Sequence, residues 1–328
     1  MTVYIPYPEW LRPEVFEGVP LRWYGLMYLL AFGLTYLLVR RQSRELGVDA
    51  SGEELLNVLF WGIVGMFIGA RLAAVTLYAP IEAFLRRPWI LIWPFDDGMR
   101  FTGLQGMSYH GGLLGATVGI VLYLRHRKMD LWLWADMITA AVPLGYTFGR
   151  LGNFINGELY GRVTAAPWGI VFPQAPPLPL SVPWVQNLAE RVGMEISEVG
   201  FANLPRHPSQ IYEALLEGVL LWAILWFWAR RKAPFEGFVT SCYVIGYGIA
   251  RFLVEYTRQP DYGIGYVFGP AGPRPPVERF VSPFYLSMGQ VLSLGMILVG
   301  VGLLLWRKYQ DKQRPQVTTY ERGESQTE

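Results

Sequence analysis

The sequence predicts an all-α polytopic membrane protein with seven transmembrane helices and a small outer (periplasmic) lobe. Three observations lead to this fold class. The chain of 328 residues is 52% hydrophobic and only 16% charged, whereas a soluble domain carries about 25% charged residues. Seven segments offer the run of about 20 mostly apolar residues that a bilayer-spanning helix needs. None of them alternates polar and apolar residues as a membrane β-barrel strand would.

The seven predicted spans are rich in Leu, Ile, Val, Gly and Trp. They cover residues 21–39, 54–78, 105–124, 131–149, 210–229, 237–256 and 284–306. Together they predict one transmembrane domain over residues 1–306, with the outer lobe at about 150–209. Residues 307–328 contain many Lys, Gln, Thr and Glu residues, and this composition predicts a disordered cytoplasmic tail.

Basic clusters predict the orientation of the spans. Arg40, Arg41 and Arg44 follow the first span, RHRK follows the third, ARRK the fifth and RKYQDKQR the seventh. Short cytoplasmic loops are enriched in Lys and Arg, so the odd-numbered spans should end on the cytoplasmic side. The N-terminus is therefore expected outside and the C-terminus in the cytoplasm.

The predicted outer segments have a different composition. Residues 80–104 contain the aromatic run PWILIWPF, which is too short to span and predicts an interfacial or re-entrant piece. Residues 257–283 form a second Pro-rich outer segment beside the lobe. Cys242 is the only cysteine, and the three histidines form no HExxH pattern, so we expect no disulfide and no metal site.

Seven polar or charged residues are predicted to lie in the outer half of the membrane: Tyr24, Arg71, His110, Arg150, Asn153, Arg251 and Glu255. A charge within a span costs a few kcal/mol on insertion scales and usually faces the helix bundle or a cavity. Three arginines against one glutamate predict a positive site for an anion. Phosphate suits it best, because a guanidinium group presents a planar fork to phosphate oxygens.

Structural roles would also explain several of these residues and some other polar residues of the chain. His110 would also serve as a hydrogen-bonded histidine within a bundle, and Tyr24 as an interface anchor. Arg251 and Glu255 are four residues apart on one helix face and could form a plain ion pair. His207 could cap a helix or dock the lobe instead of taking part in chemistry, and Asp136 reads as structural.

Glycines at intervals of four predict close helix packing. The pairs are Gly65 with Gly69, Gly111 with Gly115, Gly115 with Gly119, and Gly145 with Gly149. Gly152 and Gly157, in GNFING, could instead leave backbone N–H groups free to face an anion.

The stretch GRLGNFINGELYGR, residues 149–162, closely resembles the signature of the prolipoprotein diacylglyceryl transferase family. Four further stretches resemble the same family in the same order: RWYGLMYLLAF, MSYHGGLLG, RHPSQIYE and RFLVEYTRQPD. Residues 165–205, 260–283 and the tail carry no motif that matches the family.

The resemblance implies a reaction. The sn-1,2-diacylglyceryl group of phosphatidylglycerol would pass to the lipobox cysteine thiol in the signal peptide of a preprolipoprotein, forming a thioether and releasing glycerol phosphate. This is the first step of lipoprotein maturation, in the bacterial plasma (inner) membrane. The nucleophile then arrives with the substrate, so Cys242 is expected to be a core residue. No cofactor, metal or nucleic acid is implied; the implied partners are the two substrates and membrane lipids.

The resemblance also implies residue roles. The positions matching Arg150 and Arg251 are regarded as essential, and those matching Tyr24, His110, Asn153 and Glu158 as important. The expected substrate-binding residues are Arg71, Arg150, Asn153, Glu158, Gly161 and Arg251. The base that deprotonates the thiol stays open: His110, Glu255, or no discrete base where arginines stabilise the thiolate.

A transporter of anions or lipids with an arginine-lined outer-leaflet site is the competing function. Two features of the sequence count against it. The polar residues gather on one side of the membrane and not at its midplane, and the sequence contains no repeat of the kind found in many transporters.

Overall fold

The computed structural model describes residues 4–16, 21–48, 51–78, 108–194, 200–260 and 263–313, together with Arg86 and Met99. Its helices are α1 (Trp23–Glu45), α2 (Gly52–Tyr78), α3 (Tyr109–His126), α4 (Leu131–Ile155), α5 (Pro183–Arg191), α6 (Ser209–Lys232), α7 (Phe238–Val254) and α8 (Met288–Gln313). Its strands are two or three residues long: β1 (Ile5–Pro6), β2 (Ile170–Val171), β3 (Leu178–Pro179), β4 (Phe201–Ala202), β5 (Tyr266–Phe268) and β6 (Leu286–Ser287).

The described part of the chain is mostly helical, as an all-α membrane protein should be. Four of its helices, α1, α2, α6 and α8, are long and apolar enough to cross a membrane. Helix α7 is apolar as well but only 17 residues long.

Several helices extend beyond the predicted spans. Helix α1 continues to Glu45, so the basic cluster that follows the first span is helical, and Arg41 pairs with Glu45 at 2.7 Å. Helix α4 runs to Ile155, past the predicted end of the fourth span at residue 149. Helix α8 continues to Gln313, past the predicted end at residue 306. The aromatic run at 88–95 and the tail from residue 314 lie outside the described residues.

The chain divides into two compact units, and residues 36–135 form one of them. Within it, α2 packs closely against α3 through glycines. A Cβ atom on Gly65 would collide with the carbonyl oxygen of Gly115, and one on Gly69 with that of Gly111. The predicted packing role of these glycines is confirmed, since only glycine allows backbones to approach this closely.

Residues 1–35 and 136–328 form the other unit. Asp136, near the N-terminal end of α4, accepts hydrogen bonds from the backbone N–H groups of Gly237 and Thr240, each at 2.8 Å. It also accepts one from the Thr240 hydroxyl at 2.6 Å. Asp136 therefore satisfies orphan donors at the start of α7 and has the structural role that the sequence predicts.

Glycine packing along α4 differs between two predicted positions. A Cβ on Gly145 would lie 2.8 Å from the Thr35 hydroxyl and 3.1 Å from the Ala31 carbonyl, so Gly145 lets α4 approach α1. At Gly149 no described atom lies within 4 Å of an added Cβ. The prediction that Gly149 is a packing glycine is therefore wrong.

The segment between α4 and α6 folds into short strands and one short helix. Strand β1 pairs in parallel with β2, and β3 pairs antiparallel with β4. Helix α5 contributes to a core of apolar side chains: Val163, Val185, Ala189, Ala202 and Leu204. A second cluster, Ile170, Phe172 and Ala175, contacts Phe154 in the last turn of α4 and so connects this segment to the helix.

Candidate active site

The signature stretch begins in the last turns of α4, which ends at a glycine. Gly157 has φ +66° and its N–H bonds the Phe154 carbonyl, while the Glu158 N–H bonds the Asn153 carbonyl at 3.1 Å. This pair of bonds is a Schellman C-cap, which requires a left-handed residue. Gly157 thus terminates α4, and its N–H group is not free to face an anion. Gly152 packs instead against the ring of Tyr24, which would lie 2.9 Å from an added Cβ.

Arg150 lies in α4, and its guanidinium group is held by contacts with other side chains of the protein. Its Nε lies 2.8 Å from Oε2 of Glu213 and 2.6 Å from the Tyr146 hydroxyl. Its Cζ lies 4.7 Å from the centre of the Tyr146 ring, within range of a cation–π contact. Its Nη1 points towards Asn153, at 3.4 Å from Oδ1.

Glu213 in α6 is the meeting point of three arginines. Besides Arg150, its Oε2 lies 3.3 Å from Nη1 of Arg251, which comes from α7. Its other oxygen lies 3.4 Å from Nη1 of Arg258, four residues past the end of α7. Glu213 is completely buried. A buried carboxylate needs such partners, because its desolvation is costly.

Arg251 and Glu255 form the ion pair that their spacing allows. Nη2 of Arg251 lies 2.9 Å from Oε2 of Glu255, and Nε of Arg258 lies 3.7 Å from the same oxygen. The Ser287 hydroxyl donates to the other Glu255 oxygen at 2.9 Å. Ser287 also caps α8 together with Gln290 through reciprocal bonds of 3.0 and 3.3 Å. Oε1 of Glu255 therefore accepts a hydrogen bond, whereas Oε2 lies within ion-pair distance of both arginines and makes no hydrogen bond.

Tyr146 and Glu217 are two further members of this network. The Tyr146 hydroxyl donates to Oε2 of Glu217 at 2.5 Å, while Glu217 Oε1 lies 3.7 Å from Nη1 of Arg251. Glu217 lies in a stretch of π-helix, Ala214–Leu220, that directly follows Glu213. Stretches of this kind within α-helices are frequent at functional sites.

The network contains equal numbers of basic and acidic side chains, so the predicted positive excess is wrong. Its described members are three arginines and three glutamates: Arg150, Arg251, Arg258, Glu213, Glu217 and Glu255. The predicted positive excess counted only Glu255 as an acidic partner. Arg71 belongs to the other unit, Arg258 takes part instead, and the two carboxylates from α6 then make the numbers of arginines and glutamates equal.

A second polar chain leads from Arg150 towards solvent. Asn153 is buried and donates from Nδ2 to Oε1 of Glu158 at 2.9 Å. Glu158 is exposed. On α1, the Tyr24 hydroxyl lies 3.2 Å from that of Tyr28. The structure thus brings Tyr24, Asn153 and Glu158 to the same end of α4 as Arg150.

Gly161 connects three parts of this unit through its backbone. Its N–H bonds the His207 carbonyl at 2.8 Å, and the next N–H, of Arg162, bonds the Thr257 carbonyl at 2.8 Å. A Cβ on Gly161 would collide with that Thr257 carbonyl. Gly161 is therefore needed for close backbone approach, next to the segment that carries Arg258.

Neighbouring contacts hold the same junction. Arg162 is buried and donates from Nε to the Arg258 carbonyl at 2.7 Å. Gln210, at the start of α6, donates to the Glu158 carbonyl at 2.6 Å. His207 lies 3.2 Å from the Tyr212 hydroxyl through Nδ1, so it participates in docking this segment.

Arg71 and His110 belong to the other unit, 36–135. Arg71 is buried in α2, and His110 lies exposed in the first turn of α3. The Ser108 side chain caps α3, and the Ser108 N–H bonds the Ala70 carbonyl at 3.0 Å. This contact ties the start of α3 to α2 next to Arg71. The functional roles predicted for Arg71 and His110 stay predictions.

Sequence reasoning missed Tyr146, Glu213, Glu217 and Arg258. A signal for the two glutamates was present, because QIYEALLEG places them four residues apart within an apolar span, where uncompensated charge is costly. Arg258 lies within the quoted stretch RFLVEYTRQPD, but its sequence position does not reveal that it folds back onto Glu213.

Long apolar helices around a buried arginine–glutamate network define a helical membrane protein with a polar site. Comparison with known proteins gives the family. A profile described as prolipoprotein diacylglyceryl transferase matches residues 13–306. This chain belongs to the prolipoprotein diacylglyceryl transferase family.

Several relatives cover nearly the whole chain, and each is named a phosphatidylglycerol–prolipoprotein diacylglyceryl transferase. The Treponema pallidum protein is 45% identical over 91% of this chain and 93% of its own length. The Treponema denticola protein is 43% identical over 95% and 97%. The Chlorobaculum tepidum protein is 39% identical over 92% and 91%. None of these findings supports the transporter alternative.

Proposed function

We propose that this protein transfers the sn-1,2-diacylglyceryl group of phosphatidylglycerol to the lipobox cysteine thiol of a prolipoprotein. The products are a thioether-linked lipoprotein precursor and glycerol phosphate. The observation that carries the proposal is the convergence of Arg150 and Arg251 on Glu213, within a chain whose close relatives are named for this reaction.

The reaction is a displacement at a glycerol carbon. The thiolate sulfur forms a bond to that carbon, and the bond from the carbon to the phosphate ester oxygen breaks. The thiol loses its proton, and the departing phosphate gains negative charge. The protein must therefore provide a route for the proton and stabilise the leaving group.

Arg150 and Arg251 are the proposed ligands of the phosphate. The Nε of Arg150 is engaged with Glu213 and Tyr146, and its Nη1 donates a long hydrogen bond to Asn153, so the Nη side of the guanidinium group is the side proposed to face the ligand. Guanidinium groups with several donors suit a phosphate whose charge grows during the reaction. The exposed Glu158 carboxylate, hydrogen-bonded to Asn153, is suited to accept bonds from the headgroup hydroxyls of phosphatidylglycerol.

For the base, we favour His110 over Glu255. Glu255 is ion-paired with Arg251 and Arg258 and accepts a hydrogen bond from Ser287, so we assign it to orienting Arg251. An imidazole titrates near neutral pH and is the usual proton acceptor of a thiol. Replacing His110 by Gln should abolish turnover at every pH. Turnover that returns at high pH would instead support an arginine-stabilised thiolate without a discrete base.

The proposed topology is seven transmembrane helices over residues 1–306 in the bacterial inner membrane. Helices α1–α4 and α6–α8 would be the spans, with the N-terminus outside and the C-terminus cytoplasmic. The segment between α4 and α6 would lie outside the membrane as the periplasmic lobe. Basic residues at the C-terminal ends of α1, α3, α6 and α8 support this orientation. Cysteine accessibility mapping at the two termini would test it.

The reaction is tested by incubating the purified protein in detergent with phosphatidylglycerol and a lipobox peptide. Mass spectrometry should show a diacylglyceryl mass gain on the peptide, and no gain when its cysteine is replaced by serine. Absence of the gain from folded protein would contradict the proposal. Vesicles that contain the protein but no thiol acceptor test transport, because net movement of lipid or anion would favour a transporter.

A further inference from the structure

We propose that Glu213 is a positioning residue, which fixes Arg150, Arg251 and Arg258 in one arrangement and limits how tightly they hold an anion. The inference rests on the proposed function and concerns the same site.

The geometry singles out Glu213 among the three acidic members of the network. It contacts all three arginines, at 2.8, 3.3 and 3.4 Å. Glu255 contacts two of them, Arg251 and Arg258, and Glu217 contacts only Arg251, at 3.7 Å. Among the described carboxylates of the network, Glu213 alone therefore links the arginine of α4 to the arginines of α7 and its extension.

Burial makes this link stiff. Glu213 is completely buried, and its arginine contacts come from segments that are themselves anchored. The junction of Gly161 and Arg162 with Thr257 holds the segment of Arg258. The Tyr146 hydroxyl, at 3.3 Å from Oε2 of Glu213 and 2.6 Å from Nε of Arg150, holds the α4 side. Guanidinium groups held in this way need little reorganisation to meet a phosphate.

The charge of Glu213 has a second consequence. The network is neutral with all six groups ionised, so a phosphate diester adds one negative charge to a balanced site. The leaving glycerol phosphate carries more charge than the bound diester. A carboxylate that competes for the same guanidinium groups weakens the hold on this product and favours its release.

The two effects can be separated by substitution. E213Q keeps the size of the side chain but removes its charge, so the arginines lose their strongest partner while the network gains one net positive charge. E213D keeps the charge but shortens the side chain by one methylene, so it cannot reach all three arginines. E217Q is the matched control, since Glu217 lies in the same helix, is equally buried and loses the same charge.

The test measures kcat and KM with phosphatidylglycerol and a lipobox peptide, together with inhibition by added glycerol phosphate. For E213Q we expect kcat to fall about 100-fold, the loss expected from misplaced catalytic groups, with KM unchanged or lower and stronger inhibition by glycerol phosphate. For E213D we expect the same fall in kcat without stronger inhibition. E217Q should strengthen inhibition but lose much less of kcat.

Three results would overturn the inference. The first is parental kcat in E213Q or E213D, and the second is an equal loss of kcat in E217Q. The third is failure of both Glu213 variants to fold while E217Q folds, because this would show that Glu213 only stabilises the structure. If the parent protein itself forms no thioether, the proposed function fails. Binding of glycerol phosphate to parent and E213Q then still tests the network by itself.

Discussion

Nε of Arg150 lies 2.8 Å from Oε2 of Glu213, in the buried interior of the unit formed by residues 1–35 and 136–328. This contact joins the signature stretch at the end of α4 to the helix α6. It also orients the guanidinium group, since Nε faces the carboxylate and Nη1 faces Asn153. The contact thus ties the most recognisable motif of the sequence to acidic residues that the motif does not contain.

Arg150→Lys should lower kcat/KM about 100-fold or more, a loss typical of removing one donor to developing negative charge. Lysine keeps the charge but carries all its donors on one nitrogen. It therefore cannot contact Glu213 and Tyr146 on one side and present a planar pair of donors to a phosphate on the other. Steady-state kinetics with phosphatidylglycerol measure this. Arg41→Lys, at the exposed pair with Glu45, is the control and should retain parental kinetics. Equal kinetics of Arg150→Lys and the parent would exclude a need for the planar fork.

Gly161→Ala should lower the thermal midpoint of unfolding and the activity together. Its Cβ would collide with the Thr257 carbonyl and lie 2.9 Å from His207, and overpacking of this kind costs about 1–3 kcal/mol. The displaced segment carries Arg258. Gly149→Ala is the matched control, because its Cβ meets no described atom within 4 Å and alanine favours a helix. An unchanged midpoint in Gly161→Ala would show that the junction can relax.

Gly115→Ala should destabilise the unit of residues 36–135. An added Cβ would collide with the carbonyl oxygen of Gly65 and lie 2.8 Å from Cα of Gly69, so α2 and α3 would have to separate. Thermal unfolding in detergent measures the loss. Gly302→Ala in α8 meets no described atom within 4 Å and should leave the midpoint unchanged. Similar midpoints for both variants would contradict the packing role.

Asp136→Asn should cost about 1–3 kcal/mol of unfolding free energy, because one of its carboxylate oxygens is replaced by a donor that faces N–H groups. The activity per folded molecule should not change, since Asp136 caps α7 and is not part of the arginine network. Asp130→Asn is the comparison. At Asp130 a single carboxylate oxygen accepts hydrogen bonds from two backbone N–H groups, each at 2.9 Å, and the side-chain oxygen of asparagine can replace it. Equal losses in the two variants would argue against this distinction.

Acid should destabilise the segment around His207. Burial and the nearby Arg162 guanidinium lower the pKa of His207 below its ordinary value. The unfolded chain therefore binds a proton more readily than the folded protein. The stability from this group is complete above about pH 6.5 and declines as the pH falls towards the lowered pKa. The thermal midpoint measured from pH 8 to pH 5 should fall less steeply in His207→Gln, and His126→Gln should behave like the parent.

Much of the fold can be predicted from the sequence because bilayer spans need long apolar runs. Helices α1–α4 and α6–α8 overlap the predicted spans, with ends shifted by up to seven residues, and four of them are long and apolar enough to cross a membrane. Glycine spacing gives the packing of α2 against α3. The ends were less predictable, since α4 continues until the Schellman cap at Gly157, and the polar residues Arg150 and Asn153 do not interrupt it.

The candidate site was only partly predictable. Arg150, Asn153, Arg251 and Glu255 stand out because polar residues at the ends of apolar spans are costly. Their partners do not stand out in the same way, since Glu213 becomes important only when α4, α6 and α7 bring three arginines around it. The charge balance of the site therefore depends on contacts between segments that are far apart in sequence. Sequence patterns do not show these contacts.

A measurement of stoichiometry addresses the proposed reaction and its phosphate site together. Purified protein would be incubated with phosphatidylglycerol and a lipobox peptide, and both the thioether and the glycerol phosphate would be quantified over time. We expect equal amounts of the two products, none with a peptide in which serine replaces cysteine, and neither product with Arg150→Ala. Thioether formation that continues without Arg150, or glycerol phosphate released without thioether, would contradict the proposed transfer at this site.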